Sequence, residues 1–148
     1  MNASFENYKN LNPKHKKIIF YALIAVMVLA IGAVGLAFTE NKLILEDGHL
    51  EITGLYGEEI PVADIQLIEL TEKRLSLRRR INGFSFGTRK KGLFKTNGGE
   101  KIKAIINYNP RPWILITKKS GNKIYFSSKG KSNQTIYQEL KKTLPNKT

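Results

Sequence analysis

The hydrophobic pattern changes period twice along the chain. From Ile18 to Phe38, 21 consecutive residues carry no charge, no side-chain amide and no proline. At 1.5 Å per residue such a run makes a helix of roughly 31 Å, against a bilayer hydrocarbon core of about 30 Å. A stretch apolar on every side has no polar face to turn to water, so it predicts a membrane-spanning helix at 18–38. Beyond residue 42 the apolar residues fall into short alternating runs broken by Gly, Asn and Pro, the signature of strands and turns. The last segment returns to helical spacing. Ser132 or Asn133 can cap a helix, Ile136, Tyr137, Leu140 and Leu144 recur at three- and four-residue intervals, and Pro145 ends it.

Within the β-patterned region, Leu43 and Leu45 belong to a short first strand, and Asp47-Gly48 is a turn signal. Leu50 and Ile52 alternate with His49, Glu51 and Thr53 in a second strand. Pro61 marks an edge or strand end, and Asp64 can cap a short turn. Further strands are expected at 66–71, 75–81, 102–108, 113–117 and 123–127. Asn82-Gly83 is the strongest hairpin signal in the chain, and it would fold the chain back after residue 81. Asn109-Pro110-Arg111-Pro112 breaks a strand. The pattern implies a mainly β domain of seven to nine short strands, with one amphipathic helix covering an open end or face of a bent sheet. The expected organisation is a basic tail over 1–17, the transmembrane helix over 18–38, and a β domain over 42–144 whose closing helix occupies 132–144.

Charge refines this picture. The 148 residues carry 25 Lys and Arg against 12 Asp and Glu, for a net +13. The tail accounts for +3 and residues 40–148 for +10, so most of the surplus belongs to the β domain. Such a surface favours anionic lipid headgroups or anionic polymers. Lys9, Lys14, Lys16 and Lys17 precede the apolar run. Lys42 is the one basic residue in the stretch just after it, beside Glu40, Glu46, Asp47, Glu51 and Glu58. The positive-inside rule then places the N-terminus in the cytoplasm and the domain outside, on a single-pass protein of the cell membrane. A cleaved secretion signal shares the basic start, and Gly35 and Ala37 suit a cleavage context. An apolar run longer than the usual ~7–15 residues favours a spanning helix instead. Gly32, Ala33, Gly35 and Ala37 form a small-residue face compatible with homo-oligomers, without a full G-x-x-x-G pattern.

Catalytic signatures are missing from the sequence. With no cysteine, thiolate catalysis, disulfides and cysteine metal sites are excluded. No zinc-protease, phosphate-loop, nucleophile-elbow or dinucleotide pattern occurs. Glu58 and Glu59 would point to opposite faces of a strand, and His15 and His49 have no companion histidine. The sequence therefore predicts no enzyme, no cofactor, no catalytic residue and no metal ligand. Its chemical feature is a basic cluster. Arg78, Arg79 and Arg80 are followed by Arg89, Lys90, Lys91 and Lys95. Strand alternation places Arg78 and Arg80 on one face and Arg79 on the other, so the expected anionic surface is Arg78, Arg80, Arg89, Lys90, Lys91 and Lys95. Phe84 and Phe86 could serve a nucleic-acid groove, but a membrane anchor and an outward domain argue against a nucleic-acid partner. Trp113, the single tryptophan, is expected in the core.

Several short segments resemble the bacterial pleckstrin-homology-like domain family: Leu50-Glu-Ile-Thr-Gly-Leu-Tyr-Gly57, Ile60-Pro-Val-Ala-Asp-Ile65, Arg80-Ile-Asn-Gly83, Gly92-Leu-Phe94, and 113–126 with Gly121 at its turn. The resemblance covers roughly 42–144. It implies a PH-like fold of bent antiparallel sheets, or a partly open barrel of about seven strands, capped by a C-terminal helix and often preceded by membrane helices. It names no single function. The expectation is a non-catalytic binding or scaffold module for a membrane or envelope protein partner or for its own kind. The alternatives are docking on anionic lipid or cell-envelope polymer, or service as an accessory subunit of a membrane transporter or envelope enzyme.

Overall fold

The computed structural model describes residues 11–108 and 111–147 and divides into two compact units, 1–38 and 39–148. Among its described residues the first holds one helix, α1 (Pro13–Phe38). It starts a turn and a half before the apolar run because Asn12 caps it. The Asn12 side chain accepts from the Lys14 backbone N–H at 3.1 Å, and Pro13 suits the first helical position. No residue of α1 is buried by protein, and Leu29, for example, is 73 % exposed. Left in water, each such Leu, Ile or Val would forgo about 1.5–3 kcal/mol. One helix among the described residues is therefore long and apolar enough to cross a membrane, and it lies near the N-terminus. Lys9 lies outside the described residues. Lys14, Lys16 and Lys17 occupy the first turns of α1, where the helix dipole disfavours cations by about 0.3–1 kcal/mol each.

The described residues of the second unit contain nine strands: β1 (Leu43–Glu46), β2 (His49–Ile52), β3 (Glu58–Pro61), β4 (Ile65–Thr71), β5 (Leu77–Phe86), β6 (Arg89–Thr96), β7 (Lys101–Ile106), β8 (Trp113–Lys118) and β9 (Lys123–Ser127). They form a three-stranded sheet ordered β1-β2-β3 and a six-stranded sheet ordered β4-β8-β9-β7-β6-β5, and neither closes. The closing helix α2 (Asn133–Thr143) is capped by Ser132, whose hydroxyl accepts from the Thr135 N–H at 3.1 Å. This is the expected mainly β architecture with an apolar N-terminal helix and a C-terminal cap. Six of the seven strand pairings are antiparallel, as expected; β7 and β9 pair in parallel.

Two apolar clusters hold the domain together, one on each face of the large sheet. On one face Ile68, Ile105, Ile114, Ile116, Ile124 and Phe126 meet Leu50, Ile52 and Ile60 of the small sheet and Ile136 and Leu140 of α2. On the other face Phe94, Ile102, Ala104, Ile106, Trp113, Leu115 and Tyr125 are joined by Leu75 and Leu77. The sheet order explains the second cluster. β4 and β5 lie at opposite edges, so the 72–76 connection must cross the sheet, carrying Leu75 over that face. Arg111 Nη1 donates to the Glu72 carbonyl at 2.7 Å, and the Asn97 N–H donates to the Ser76 carbonyl at 2.9 Å.

The hairpin expected at Asn82-Gly83 lies elsewhere. β5 runs straight through those residues, and the reversal falls at Gly87-Thr88, between the paired Phe86 and Arg89. Gly87 supplies the positive φ of 55° that this turn uses. Gly83 serves a different purpose: it faces Gly92 across the ladder at an approach no side chain could occupy. Asp47-Gly48 does form the expected two-residue hairpin, with φ of 46° and 75°. Of the expected break at 109–112, Asn109 and Pro110 lie outside the described residues.

Candidate functional site

The β domain is tied down from its first residue. The buried Lys91 ammonium donates to the Thr39 carbonyl. Glu40 Oε1 accepts from Ser128 Oγ at 2.9 Å and from the backbone N–H groups of Lys129 at 2.7 Å and Gly130 at 2.9 Å. Partial burial pushes the Glu40 carboxyl up, but those backbone donors, the Ser128 hydroxyl and the Lys42 ammonium together hold it below its ordinary range. Asn107, buried beside this segment, donates to the Asn41 carbonyl at 3.0 Å and the Ser127 carbonyl at 2.8 Å, and accepts from the Asn41 N–H at 3.1 Å. Burial lowers the Lys91 pKa, and the neighbouring Arg89 charge lowers it further, with Glu40 opposing both. Lys91 is therefore an internal fastener and takes no part in an exposed surface.

The remaining residues of the expected basic cluster divide. Arg89 and Lys90 are half-buried near the Gly87-Thr88 turn. Arg78, Arg80 and Lys95 are exposed toward the other end of the hairpin. Register shifts interrupt the β5–β6 ladder between Leu77 and Arg79 and again between Arg80 and Asn82. A bulge breaks strict alternation and re-aims side chains. In consequence Arg78 and Arg79, expected on opposite faces, line one concavity with Ile81, Lys95 and Lys101, of about 370 Å³. Arg80 is not part of that lining. Sequence alternation missed Arg79, and it missed Lys101 because that residue arrives on another strand. Arg79 pairs in register with Lys95, and Lys95 with Lys101. Like charges directly opposite across strands are destabilising, by up to about 1 kcal/mol a pair.

Glu58, which lines a neighbouring concavity with Lys101, and Glu100, which precedes Lys101 in the chain, serve other lysines. Glu58 bridges Lys103 at 3.1 Å and Lys118 at 2.8 Å, and Glu100 pairs with Lys123 at 2.8 Å. Partial burial pushes Glu58 up, but hydrogen bonds from Lys118 and Lys103 hold it below its ordinary range. Among the described residues Arg78, Arg79, Lys95 and Lys101 have no ion pair.

A second feature lies on the small sheet. β1 is an edge strand, and between it and α2 runs a groove of about 600 Å³. Leu43, Leu45, Val62, Ile136, Leu140 and Leu144 supply its apolar lining. Glu46 and Asp47 stand at one end, and Glu139, held by Lys131, stands at the rim. The two-residue hairpin makes Glu46–His49 the closing hydrogen-bonded pair, so Ile44–Glu51 is the next. The backbone N–H and C=O groups of Leu43 and Leu45 therefore point away from β2, along the open edge. An unpaired edge of this kind is a template for another strand. Sequence reasoning identified β1 as a strand, but its place at an edge follows from the sheet order.

Among the described residues no three His, Asp or Glu side chains group closely enough to hold a metal ion. Together these features define a chain with one N-terminal apolar helix of membrane-spanning length and a β domain with a C-terminal helix. No family model matches the sequence, and neither curated proteins nor solved structures yield a match.

Proposed function

We propose that this protein is a membrane-anchored, non-catalytic binding module that takes an extended segment of a membrane or envelope protein along the open edge of β1. The observation carrying this reading is the coincidence of a free strand edge with an apolar groove beside it. Strand addition draws affinity from main-chain hydrogen bonds and specificity from pockets for alternate side chains. Leu43 and Leu45 offer two N–H and two C=O groups, each bond contributing about 0.5–1.5 kcal/mol. The groove receives every second side chain of the guest. Glu46 and Asp47, in a chain of net charge +13, select a guest with Lys or Arg at that end. So short a contact gives a Kd on the order of 10–100 µM. Confinement to one membrane compensates for that weakness by raising the effective concentration.

The same proposal places the N-terminus in the cytoplasm, supported by Lys14, Lys16 and Lys17 at the start of α1 and by the acidic residues after it. It also includes membership of the bacterial pleckstrin-homology-like family, supported by two unclosed sheets with a C-terminal helix. The parallel β7–β9 pair is a departure from that family's antiparallel pattern. The test uses the full chain in neutral-lipid nanodiscs and fluorescent peptides that alternate apolar and polar residues, with Arg or Glu at one end. Binding of the Arg peptide should be lost on N-methylation of one set of alternate amides and kept on N-methylation of the other. Glu46→Lys with Asp47→Asn should reverse the preference from the Arg to the Glu peptide. If both methylated sets bind like the parent, strand addition is wrong.

A further inference from the structure

We infer that Arg78, Arg79, Lys95 and Lys101 form a binding site for a multiply charged phosphate group. This site shares no lining residue with the β1 groove and stands independently of the peptide reading. Three observations converge on it. First, Arg79, Lys95 and Lys101 are in register on three neighbouring strands. With strands about 4.8 Å apart, the backbone positions of these three residues fall within roughly 10 Å. Second, register shifts in β5 bring Arg78 to the concavity that Arg79 and Ile81 share. A regular strand would have sent Arg78 to the opposite face and relieved the crowding. Third, the two carboxylates that neighbour Lys101 are engaged elsewhere, Glu58 by Lys103 and Lys118, and Glu100 by Lys123. The four cations thus gather at one concavity without an ion pair among the described residues.

The chemistry of the lining selects the ligand. Two guanidinium groups present planar forks that bind phosphate oxygens in pairs, and the two ammonium groups add point charges. A concavity of about 370 Å³ admits one or two linked phosphates. Its exposed Ile81, at 42 %, packs against whatever apolar body carries them. A singly charged carboxylate would leave most of the local charge uncompensated. The phosphate can be free in solution or borne by a lipid headgroup, and the experiment separates the two.

The full chain is placed in zwitterionic nanodiscs and titrated with pyrophosphate at constant ionic strength, with sulfate as the comparison anion. In a parallel arm it is mixed with vesicles that contain or lack an anionic phosphomonoester lipid, and co-sedimentation is measured. Arg79→Gln with Lys95→Gln should weaken whichever interaction occurs by about tenfold. Lys141→Gln with Lys142→Gln removes the same charge from exposed positions on α2 and should change it by less than about twofold. The Arg79/Lys95 variant should also melt at a higher temperature than the wild type, because a cross-strand repulsion has gone. Pyrophosphate binding lost in that variant assigns a soluble ligand, and vesicle binding alone lost in it assigns a headgroup. The inference is overturned if neither ligand binds, if both double variants weaken binding equally, or if the Arg79/Lys95 variant melts lower than the wild type.

Discussion

Replacing Gly83 by alanine probes a close backbone-to-backbone contact in the β domain. Gly83 and Gly92 oppose each other across β5 and β6 with φ of 114° and 132°. A Cβ on Gly83 would stand 2.1 Å from the Lys91 carbonyl oxygen and 2.7 Å from the Gly92 Cα. A tolerable contact lies beyond 3.0 Å, so the strands must part locally. A non-glycine residue held at such a φ costs about 1–3 kcal/mol. Parting the ladder weakens about two cross-strand hydrogen bonds, each worth about 1 kcal/mol. The sum is about 3–5 kcal/mol, a large share of the ~5–15 kcal/mol that stabilises a domain. At roughly 4 °C per kcal/mol, the melting temperature should fall by about 12–20 °C. Trp113 is the single tryptophan and only 5 % exposed, so its emission reports the transition directly. Gly87→Ala is the matched comparison. Gly87 also has positive φ, 55°, but nothing lies within 4 Å of its Cβ position. It should cost only the ~1–2 kcal/mol of a left-handed alanine. If Gly83→Ala melts within about 3 °C of the wild type, the glycine pair is not a close contact and the reasoning fails.

Two further outcomes concern the segment that leads into the β domain. Asn107→Ala removes three hydrogen bonds at a residue 4 % exposed, stranding the Asn41 N–H and carbonyl, while the Ser127 carbonyl keeps the backbone N–H of residue 107 at 3.1 Å. It should destabilise by about 2–4 kcal/mol, with faster hydrogen exchange at the Asn41 amide. Glu40 is held below its ordinary value of 4.5, so its contribution is fully present above that pH and is lost as pH falls through the lower folded value. Glu40→Gln should therefore cost about 1 kcal/mol at neutral pH, a figure kept small because the carboxylate is partly solvated. The gap in melting temperature between wild type and variant should close as the pH is lowered below 4.5. A gap that stays constant through acid pH would refute the assigned role of the charge.

Features encoded locally were legible in the sequence. The apolar run gave a helix, Ser132 gave a cap, and Asp47-Gly48 gave a hairpin, because each depends on a few neighbouring residues. Asn82-Gly83 does not turn the chain because its glycine answers a long-range demand. The backbone of β6 passes too close for a side chain, and that is invisible from the local turn preference. The parallel β7–β9 pair has the same origin. The hairpin-like spacing of β8 and β9 says nothing of which strand β9 meets on its other side. The basic concavity was half legible. Arg78 and Lys95 stood out as charges, but two register shifts decided that Arg79 joins them and Arg80 does not. Lys91 looked like one more surface cation, since nothing in its sequence neighbourhood announces the Thr39 carbonyl as its partner.

The surplus of cations is distributed in a way that solubility alone does not explain. A domain that only needed charge for solubility would disperse it, because each pair of close cations costs stability. Here Glu58 is shared by two lysines and Glu100 and Glu139 each hold one, while the row Arg79-Lys95-Lys101 stands without a carboxylate among the described residues. Moving one acid into that row would relieve repulsion at the cost of one weak surface pair, worth about 0.2–1 kcal/mol. The cheaper arrangement is thus one substitution away. Bulges that gather Arg78 and Arg79 instead of separating them push in the same costly direction. Local sacrifice of stability of this kind is expected where a surface is shaped for a ligand that supplies the missing charge. The groove at β1 follows the same logic with backbone groups. There the unfilled valence is the row of outward N–H and C=O groups at Leu43 and Leu45, left open beside an apolar floor that a covering loop could have closed.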